Sequence, residues 1–200
     1  FADNGLAIVD ATDPTKPKLV GKYVFEPILR AGQVQAIGNL LFVGAADQAR
    51  AVLLDISDPL HPQPIDGGDF VVKDQEGNAR KAYFSTVANG HAFFARKDSG
   101  GGLLVYDIQD PNKPALVGGK KTDGKGGYVF VKEDRAFTGE SNHAVVFDIK
   151  DIKDIKEVRR LTMTGDLDTA IPIGNVVVLS VDDKAALKNG AGSEVHPLDK

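Results

Sequence analysis

One short sequence pattern occurs four times along this chain. In residues 5–21 (GLAIVDATDPTKPKLVG) an apolar run ends in Asp, an Asp-Pro pair follows, and a second apolar run begins after another Pro. The other copies are residues 52–62 (VLLDISDPLHP), 103–114 (LLVYDIQDPNKP) and 145–155 (VVFDIKDIKDI). The first Asp falls at 10, 55, 107 and 148, so the copies are 45, 52 and 41 residues apart. Periods of this length are typical of solenoids, propellers and other repeat arrays.

The residues of the pattern predict its local structure. Four apolar residues before an Asp predict a short buried strand. An Asp side chain can accept hydrogen bonds from the backbone amides that follow it, and the next Pro fixes φ for a tight turn. Because Pro is tolerated at the first residue of a strand or on a sheet edge, the strand after the second Pro is predicted to be outermost. The predicted turn residues are Asp10, Asp13, Pro14, Pro17, Asp55, Asp58, Pro59, Pro62, Asp107, Asp110, Pro111, Pro114, Asp148 and Asp151.

Four further segments carry the signature of a β-hairpin, in which two strands flank a two-residue turn of Gly, Asn, Asp or Glu. They are residues 36–44, 87–95, 131–139 and 172–180. Together with the repeated pattern they give four antiparallel strands in about 45 residues, which is the content of one propeller blade.

The pattern L-x-I-V-D-x-x-D-P-x-x-P-x-L-V-G resembles the LVIVD repeat, a propeller repeat of bacterial and archaeal extracytoplasmic proteins. The resemblance covers nearly all of residues 1–181, although the fourth copy has Ile152 and Ile155 in place of both prolines. It implies an all-β propeller that acts as a binding or scaffold module without defined catalytic residues. It also implies an exported protein, whether periplasmic, at the cell surface or secreted.

The strand signals divide the chain into blades and partial blades. Residues 1–23 are predicted to supply two outer strands, residues 167–181 two inner strands, and residues 182–200 a polar tail or linker. Complete blades are predicted at residues 24–70, 80–121 and 125–163. The two half blades are complementary and could pair into one split blade, which closes a ring of four. The alternative, a slice of a larger ring, is the one we favour.

Composition narrows the functional classes. A net charge of −4 gives no support to nucleic-acid binding, which requires a basic stripe. The sequence has no 18-residue apolar run that could span a membrane. It has no Cys, which excludes disulfides and zinc–thiolate sites. A chain without Cys fits either redox compartment, and the resemblance to exported repeats favours the oxidising one. It has neither an initiator Met nor a signal peptide, so we expect a processed chain or a portion of a longer one.

Two insertions account for the longer periods, at residues 69–80 and 96–102. Insertions in repeat proteins map to loops, where binding residues are often found. The first insertion is acidic through Asp69, Asp74 and Glu76, and these three residues form our candidate partner-binding loop. A solvated loop without a partner is the alternative.

Two segments approach catalytic motifs without matching them. Residues 119–126 (GKKTDGKG) come close to a phosphate-binding P-loop, but Gly126 replaces the Ser or Thr that binds Mg²⁺, and a predicted strand follows where the motif requires a helix. Residues 139–143 (GESNH) begin like the nucleophile elbow of hydrolases, but the final Gly is missing. We predict plain connecting loops at both places.

Metal sites receive little support. The four histidines are far apart in the sequence, so a His-based zinc or iron site is not predicted. Calcium in a carboxylate loop such as residues 66–69 or 74–78 is possible, although no loop has EF-hand spacing. We expect no other cofactor.

Residues 150–160 have two interpretations. They could form a short helix with a basic face, or a degenerate turn followed by an outer strand, and their alignment with the other copies favours the turn. The basic cluster of Lys153, Lys156, Arg159 and Arg160 would then lie on an outer edge. The residues predicted to line the central channel are Gln33, Gln35, Ser85, Thr86, Tyr128, Phe130, Asp168 and Thr169.

The sequence thus favours a non-enzymatic binding or scaffold propeller that presents its rim to another protein. Blades that bury their faces against each other leave the rims and the channel as the large accessible surfaces. The alternative is a propeller enzyme, or a metal- or cofactor-binding propeller, whose ligands lie partly outside this chain.

Overall fold

The computed structural model describes residues 4–98, 100–163, 165–181 and 192–198. This part of the chain forms five antiparallel sheets. The first sheet contains β1 (Leu6–Asp10) and β2 (Lys18–Tyr23); the next contains β3 (Ala31–Ile37), β4 (Leu40–Ala45), β5 (Arg50–Asp55) and β6 (Gln63–Val71). The third contains β7 (Ala82–Ala88), β8 (His91–Arg96), β9 (Gly102–Asp107) and β10 (Ala115–Lys121); the fourth contains β11 (Gly126–Lys132), β12 (Arg135–Glu140), β13 (His143–Asp148) and β14 (Lys156–Thr162). The last contains β15 (Leu167–Ile173), β16 (Val176–Val181) and β17 (Ser193–Pro197).

The three four-stranded sheets have the same topology. In each one the spatial order of the strands equals their order in the chain, so every strand pairs with the strand that precedes it. The inner strands of successive sheets lie next to each other, as in β7 with β11 and β11 with β15. The prediction of an all-β propeller with four-stranded antiparallel blades is confirmed. We call the sheet of β3–β6 the first blade, the sheet of β7–β10 the second blade and the sheet of β11–β14 the third blade.

The hairpins within the blades depend on residues that tolerate positive φ. In the second blade the β7–β8 turn is Asn89-Gly90, with φ of 50° and 73°. Positive φ at both central residues is the requirement of a type I′ turn, whose twist matches that of the flanking strands. The corresponding turn residues Gly38, Glu133 and Gly174 also have positive φ. All four hairpins predicted from the sequence are present.

The repeated Asp residues make the same two hydrogen bonds in every copy. Oδ1 of Asp10 accepts from the amide of Thr12 at 2.9 Å, and Oδ1 of Asp13 accepts from the amide of Thr15 at 3.0 Å. Each later Asp likewise accepts from the amide two residues on, as found for Asp55, Asp58, Asp107, Asp110, Asp148 and Asp151. At the second Asp of each copy the backbone carbonyl also accepts from the amide three residues on, so the carboxylate and the carbonyl close this turn together.

The fourth copy keeps this geometry without its prolines. A single 3₁₀ turn spans Ile152–Asp154 and is capped by Asp151, whose side chain accepts from the amide of Lys153. Ile155, at the position of the second Pro, has a φ of −63°, which is the angle that Pro would impose. The turn is followed by the outer strand β14. The interpretation as a degenerate turn and strand is therefore confirmed, and the helix with a basic face is not found.

The last sheet has a strand that the sequence analysis assigned to a polar tail. Residues 193–197 form β17, which pairs with β16 along its whole length. The remainder of the predicted tail, residues 182–191 and 199–200, lies outside the described residues. Because β17 pairs with the edge of β16, that edge is not available to β1, and in the described residues β1 pairs with β2 alone. The split blade that would close a ring of four is not formed.

Apolar cores lie between successive blades. Phe42 and Leu53 of the first blade pack in one cluster with Phe94 and Leu104 of the second, and all four side chains are at most 1% exposed. Equivalent clusters join the second blade to the third and the third to the last sheet. Truncating one of the phenylalanines to Ala would cost about 3–5 kcal/mol, because the surrounding blades can close the cavity only in part. Packing between blades thus contributes strongly to the stability of the fold.

Gln35 joins the inner strands of two blades. Its amide nitrogen donates to the carbonyl of Val87 at 2.8 Å, and its amide oxygen accepts from the backbone N–H of Val87 at 2.8 Å. The side chain therefore satisfies both backbone groups of an edge residue, in the way that a neighbouring strand would. The sequence analysis placed Gln35 among channel residues, whereas the structure gives it this interblade role.

We expect the Gln35→Leu substitution to lower the free energy of unfolding by about 1–3 kcal/mol, because it leaves the amide and carbonyl of Val87 unpaired in a partly buried place. Gln33→Leu is the control, since in the described part of the chain the side chain of Gln33 makes no hydrogen bond and the residue lies two positions away on the same strand. Chemical denaturation measures both. Equal effects of the two substitutions would show that the two hydrogen bonds between Gln35 and Val87 contribute nothing to stability.

The turn carboxylates also predict how stability depends on pH. Hydrogen bonds from Thr12, Ser57, His61 and Asn112 lower the pKa values of Asp10, Asp55, Asp58 and Asp110, respectively, below the usual 3.8. A lowered folded-state pKa contributes stability that is fully present above the unfolded value and is lost as the pH falls through the folded value.

Thermal stability should therefore be constant above about pH 5 and fall below about pH 4. Replacing the four Asp residues with Asn should make the melting temperature fall less steeply below about pH 4. Melting curves recorded between pH 2 and pH 7 would measure this. An equally steep fall of the melting temperature in the fourfold variant would contradict the role of these four Asp residues in the loss of stability at low pH.

Candidate functional site on the loop face

The blades have two distinct rims. Connections in an up-and-down antiparallel sheet alternate between its two ends, so the hairpins and the Asp turns lie at one end, which we call the turn face. At the other end lie the β4–β5, β8–β9 and β12–β13 loops and the connections between blades, which together we call the loop face. Both sequence insertions are on the loop face, where they lengthen the β6–β7 and β8–β9 connections.

Hydrogen bonds link the loops of neighbouring blades into one surface. The amide of Asp47 donates to the carbonyl of Ala82 at 2.9 Å, and the Lys97 ammonium lies 2.6 Å from the Asp47 carboxylate. The amide of Lys97 donates to the carbonyl of Lys81 at 2.9 Å. These contacts fix the loops against each other, so the loop face has a defined shape.

The β6–β7 loop is organised by one buried carboxylate. Oδ1 of Asp74 accepts from the amides of Glu76 and Asn78, both at 3.0 Å, and Oδ2 accepts from Nε of Arg80 at 2.5 Å. Burial alone would raise the pKa of Asp74, but the hydrogen bonds from Arg80 and the two amides outweigh it and hold the pKa below its usual value. Asp74 is therefore a charged group that closes the loop from inside.

A second contact fixes the base of this loop. The hydroxyl of Tyr106, on β9, donates to the carbonyl of Lys73 at 2.9 Å and accepts from the amide of Lys73 at 2.6 Å. An isolated bridge between Lys73 and Ala79 closes the loop above it. Residues 75–79 at the tip are all exposed. The loop is thus ordered at its base and accessible at its tip.

The three acidic residues predicted to bind a partner have different environments. Asp69 is on β6 and forms a bidentate ion pair with Arg50, whose guanidinium also donates to the Pro27 carbonyl. Asp74 is 6% exposed and faces the interior of the loop. Glu76 is exposed at the tip, where its carboxylate accepts from Asn78 at 3.2 Å. Only Glu76 of the three is placed to contact a partner through its side chain without losing an ion pair.

Arg96 is a buried cation at the end of β8. It is 3% exposed, its nearest carboxylate oxygen belongs to Asp74 at 3.9 Å, and its Nε has no hydrogen-bond partner in the structure. Burial and the nearby charge of Arg80 lower the pKa of Arg96. Two guanidinium groups therefore share the single carboxylate of Asp74, which leaves an excess of positive charge below the loop face.

Glu140 holds the equivalent position at the end of β12 and carries the opposite charge. It is fully buried and accepts hydrogen bonds from the amide of Gly102 at 3.0 Å, from the hydroxyl of Thr138 at 2.8 Å and from the hydroxyl of Thr122. A Cβ atom at Gly101 would lie 2.5 Å from the carboxylate, so the glycine permits this close approach. Glu140 ties the β8–β9 loop of the second blade to the third blade.

His143 lies beside this carboxylate. Its Nδ1 is 3.0 Å from the side-chain oxygen of Asn142, and its Nε2 is buried 3.6 Å from Glu140 and 3.8 Å from Asp123 without a hydrogen bond. Arg96, Glu140 and His143 were not predicted as a group from the sequence. The one available signal was a charged residue directly after a buried apolar run, as in FFAR and FTGE.

The two motif-like segments form connecting loops. Residues 119–126 join the end of β10 to the start of β11 with no helix after them, so the geometry of a P-loop is absent there. In the turn at residues 141–142, the hydroxyl of Ser141 accepts from the amide of Lys125 at 3.2 Å. His143 is bonded to Asn142 and makes no hydrogen bond to that hydroxyl, so the two do not form a nucleophile–base pair.

The other histidines have local partners. His61 pairs with Asp58 at 2.8 Å on the turn face, His91 contacts the carbonyl of Asn89, and His196 pairs with Glu194. Within the described ranges no three His, Asp or Glu side chains are arranged to hold a metal ion. Of the four carboxylates in the two candidate calcium segments, Asp69 and Asp74 are paired with arginines, and residues 66–69 lie within strand β6 and do not form a loop.

The basic cluster near β14 also has internal partners. Arg159 donates to the carbonyl of Pro197 at 2.5 Å, and Arg160 bonds to Glu157 and Asp123. Arg135, on β12, adds a second bond to this end of β17 through the carbonyl of Leu198 at 3.2 Å. Arg159 and Arg135 thus bond the third blade to β17 of the last sheet.

The family of the chain follows from its repeats. A family model of the LVIVD repeat matches residues 1–24, 30–65 and 86–122. This chain carries LVIVD repeats. The three matched stretches contain the first three copies of the Asp turn, and the fourth copy, beyond them, makes the same turn hydrogen bonds. The structural repeat therefore extends further along the chain than the sequence match.

Comparison with solved structures supports the same fold. The crystal structure of the computationally designed protein Ika8 resembles the LVIVD-repeat protein with a TM-score of 0.61 and 14% identity, over 84% of this chain. At this identity the likeness shows the fold alone. The chain spans 46% of the designed protein, that is, less than half its length. No curated protein matches the chain.

The structure also bears on membrane insertion. The described part of the LVIVD-repeat protein contains no helix that is long and apolar enough to cross a membrane.

Proposed function

We propose that this LVIVD-repeat protein is a non-enzymatic binding or scaffold module and that its loop face binds another protein. The observation that carries the proposal is the β6–β7 loop, whose turn is closed by buried Asp74 while residues 75–79 are exposed. A loop that is ordered before binding loses less conformational entropy when a partner contacts it. Loops on a rigid scaffold are also the usual carriers of binding residues.

We further propose an exported location, in the periplasm, at the cell surface or in the secreted fraction. Two observations support this location: the chain carries LVIVD repeats, and its sequence contains no cysteine. Cell fractionation followed by immunodetection measures it. Recovery of the protein in the cytoplasmic fraction alone would contradict it.

Partner capture with matched variants tests the binding proposal. Tagged wild-type protein is incubated with an extract of the source cells, and bound proteins are quantified by mass spectrometry. The tip variant Gln75→Ala/Glu76→Ala removes two exposed side chains from the loop face. The control Gln109→Ala/Asp134→Ala removes two exposed side chains from the turn face.

We expect one stoichiometric partner to bind the wild type and the control equally, and the tip variant to retain at least about tenfold less of it, since interface side chains contribute unequally and a few dominate. Equal capture by all three proteins would contradict the role of the loop. Elemental analysis of the native protein distinguishes a protein-binding module from the alternative class of function. A stoichiometric metal without a protein partner would favour a propeller enzyme or a metal-binding propeller.

A further inference from the structure

Five exposed lysines lie on the loop face around the second blade. They are Lys73, Lys81, Lys120, Lys121 and Lys125, and we call them the lysine patch. In the part of the chain that the structure describes, no salt bridge joins any of the five to a carboxylate, whereas the neighbouring Lys97 is paired with Asp47. The patch differs from the chain as a whole, which has a net charge of −4.

Contacts between loops bring these lysines onto one surface. The amide of Lys81 donates to the carboxylate of Asp98 at 3.1 Å, next to Lys97 on the β8–β9 loop. On the same loop, a Cβ at Gly100 would lie 2.9 Å from Cε of Lys121. A Cβ at Gly119 would lie 2.5 Å from the side-chain amide nitrogen of Gln75, so the tip of the β6–β7 loop packs beside β10, on the face of the strand that Lys121 shares.

The charged groups around the patch have partners of their own, so they leave the five lysines as its exposed unpaired charges. Beneath it, Arg80 and Arg96 share the one carboxylate of Asp74. The other acidic groups nearby are Glu76, Asp98, Asp123 and the buried Glu140. Asp98 accepts from the amide of Lys81, Asp123 is paired with Arg160, and Glu140 is bonded to Gly102, Thr122 and Thr138. A concentration of unpaired positive charge raises the local concentration of anionic groups and accelerates their association.

The type of cation indicates the type of anion. The guanidinium groups of the loop face, which suit bidentate phosphate recognition, are engaged in internal contacts, and the exposed cations are lysines, which act as point charges. Because acidic side chains lie among the lysines, the positive charge is discontinuous. Separate carboxylates along a flexible peptide match such a pattern better than the continuous phosphate surface of a membrane or a nucleic acid. Three of the five lysines belong to residues 119–126, the segment that resembles a P-loop only in its sequence.

We propose that the lysine patch binds an acidic segment of a protein partner, one that carries several Asp or Glu carboxylates. This inference rests on the proposed function and specifies its partner. The lysine ammonium groups remain hydrated and steer the acidic segment toward the loop face, where the ordered tip at residues 75–79 adds shape-specific contacts.

The test uses a fluorescein-labelled 12-residue peptide of alternating Glu and Gly as the probe, with binding measured by fluorescence anisotropy. Lys120→Glu/Lys121→Glu/Lys125→Glu reverses three charges of the patch. Lys113→Glu/Lys150→Glu/Lys153→Glu makes the same change of net charge at exposed lysines on the turn face. We expect the patch variant to weaken binding at least about tenfold and the control less than about twofold.

Binding by the wild type should also weaken as NaCl is raised from about 50 to 500 mM, because salt screens exposed charges. Equal loss in both variants would overturn the proposal, since only net charge would then matter. Tighter binding of the wild type to phosphatidylserine vesicles or to an RNA oligonucleotide than to the peptide would also overturn it.

Partner capture separates this inference from the proposed function. If the tip variant loses the captured protein while the patch variant retains it, the proposal of an acidic segment is wrong, whereas the proposal that the loop face binds a protein holds. If neither variant loses it, the loop face is not the binding surface and both proposals fail.

Discussion

Replacing Asp74 with Ala is expected to lower the free energy of unfolding by about 3–5 kcal/mol, the usual cost of removing one partner from a buried ion pair. The Asp74 side chain is 5% exposed and accepts from Arg80 and from two loop amides. Its removal leaves Arg96 buried with no carboxylate and opens the β6–β7 loop. Urea denaturation monitored by circular dichroism measures the change.

Two further variants make this result specific. Glu76→Gln, two residues away on the exposed tip, should change stability by less than about 0.5 kcal/mol. In the Asp74→Ala background, Arg96→Met should restore part of the loss, because it removes the uncompensated cation. A loss below about 1 kcal/mol in Asp74→Ala would mean that the buried carboxylate does not order the loop.

Glu140→Ala should have an effect of similar size, about 3–5 kcal/mol, for a different reason. The fully buried carboxylate accepts from Gly102, Thr122 and Thr138, and the substitution leaves three donors without an acceptor at an interblade contact. Thermal unfolding with matched chemical denaturation measures the loss.

The conservative change provides the control. Glu140→Gln keeps one acceptor oxygen for Gly102 and Thr138, so it should cost less than Glu140→Ala, about 1–2 kcal/mol. Glu133→Gln, on an exposed hairpin turn, should have almost no effect. If Glu140→Ala proved as mild as Glu133→Gln, the three hydrogen bonds would not be contributing to the interblade contact.

The features that the sequence predicted depend on neighbouring residues. An Asp side chain that bonds the amide two residues on, a Gly or Asn at positive φ and a run of apolar residues are all local, so they can be recognised without knowing the fold. Repetition then indicated the propeller, since the same unit recurs at 10, 55, 107 and 148. Even Ile155 could be placed, because its position in the repeat is that of a Pro.

The features that the sequence missed depend on distant residues. β17 was overlooked because Pro197 stands where the other copies have Asp, and its place is visible only through its pairing with Val176. Gln35 was assigned to the channel because its partner, Val87, is 52 residues away. Arg96 and Glu140 are buried charges whose partners come from other loops. Asp74 was correctly placed in a loop, but the sequence could not show that its carboxylate is directed inward.

Hydrogen–deuterium exchange on the native protein tests the central claim, that the β6–β7 loop is ordered before it meets a partner. The amides of Glu76 and Asn78 donate to the Asp74 carboxylate, and the amide of Gly77 donates to the Asp74 carbonyl at 3.0 Å. The account predicts that these three amides exchange slowly in the wild type and become fast in Asp74→Ala. Exchange of the three at the rate of an unstructured peptide in the wild-type protein would contradict it.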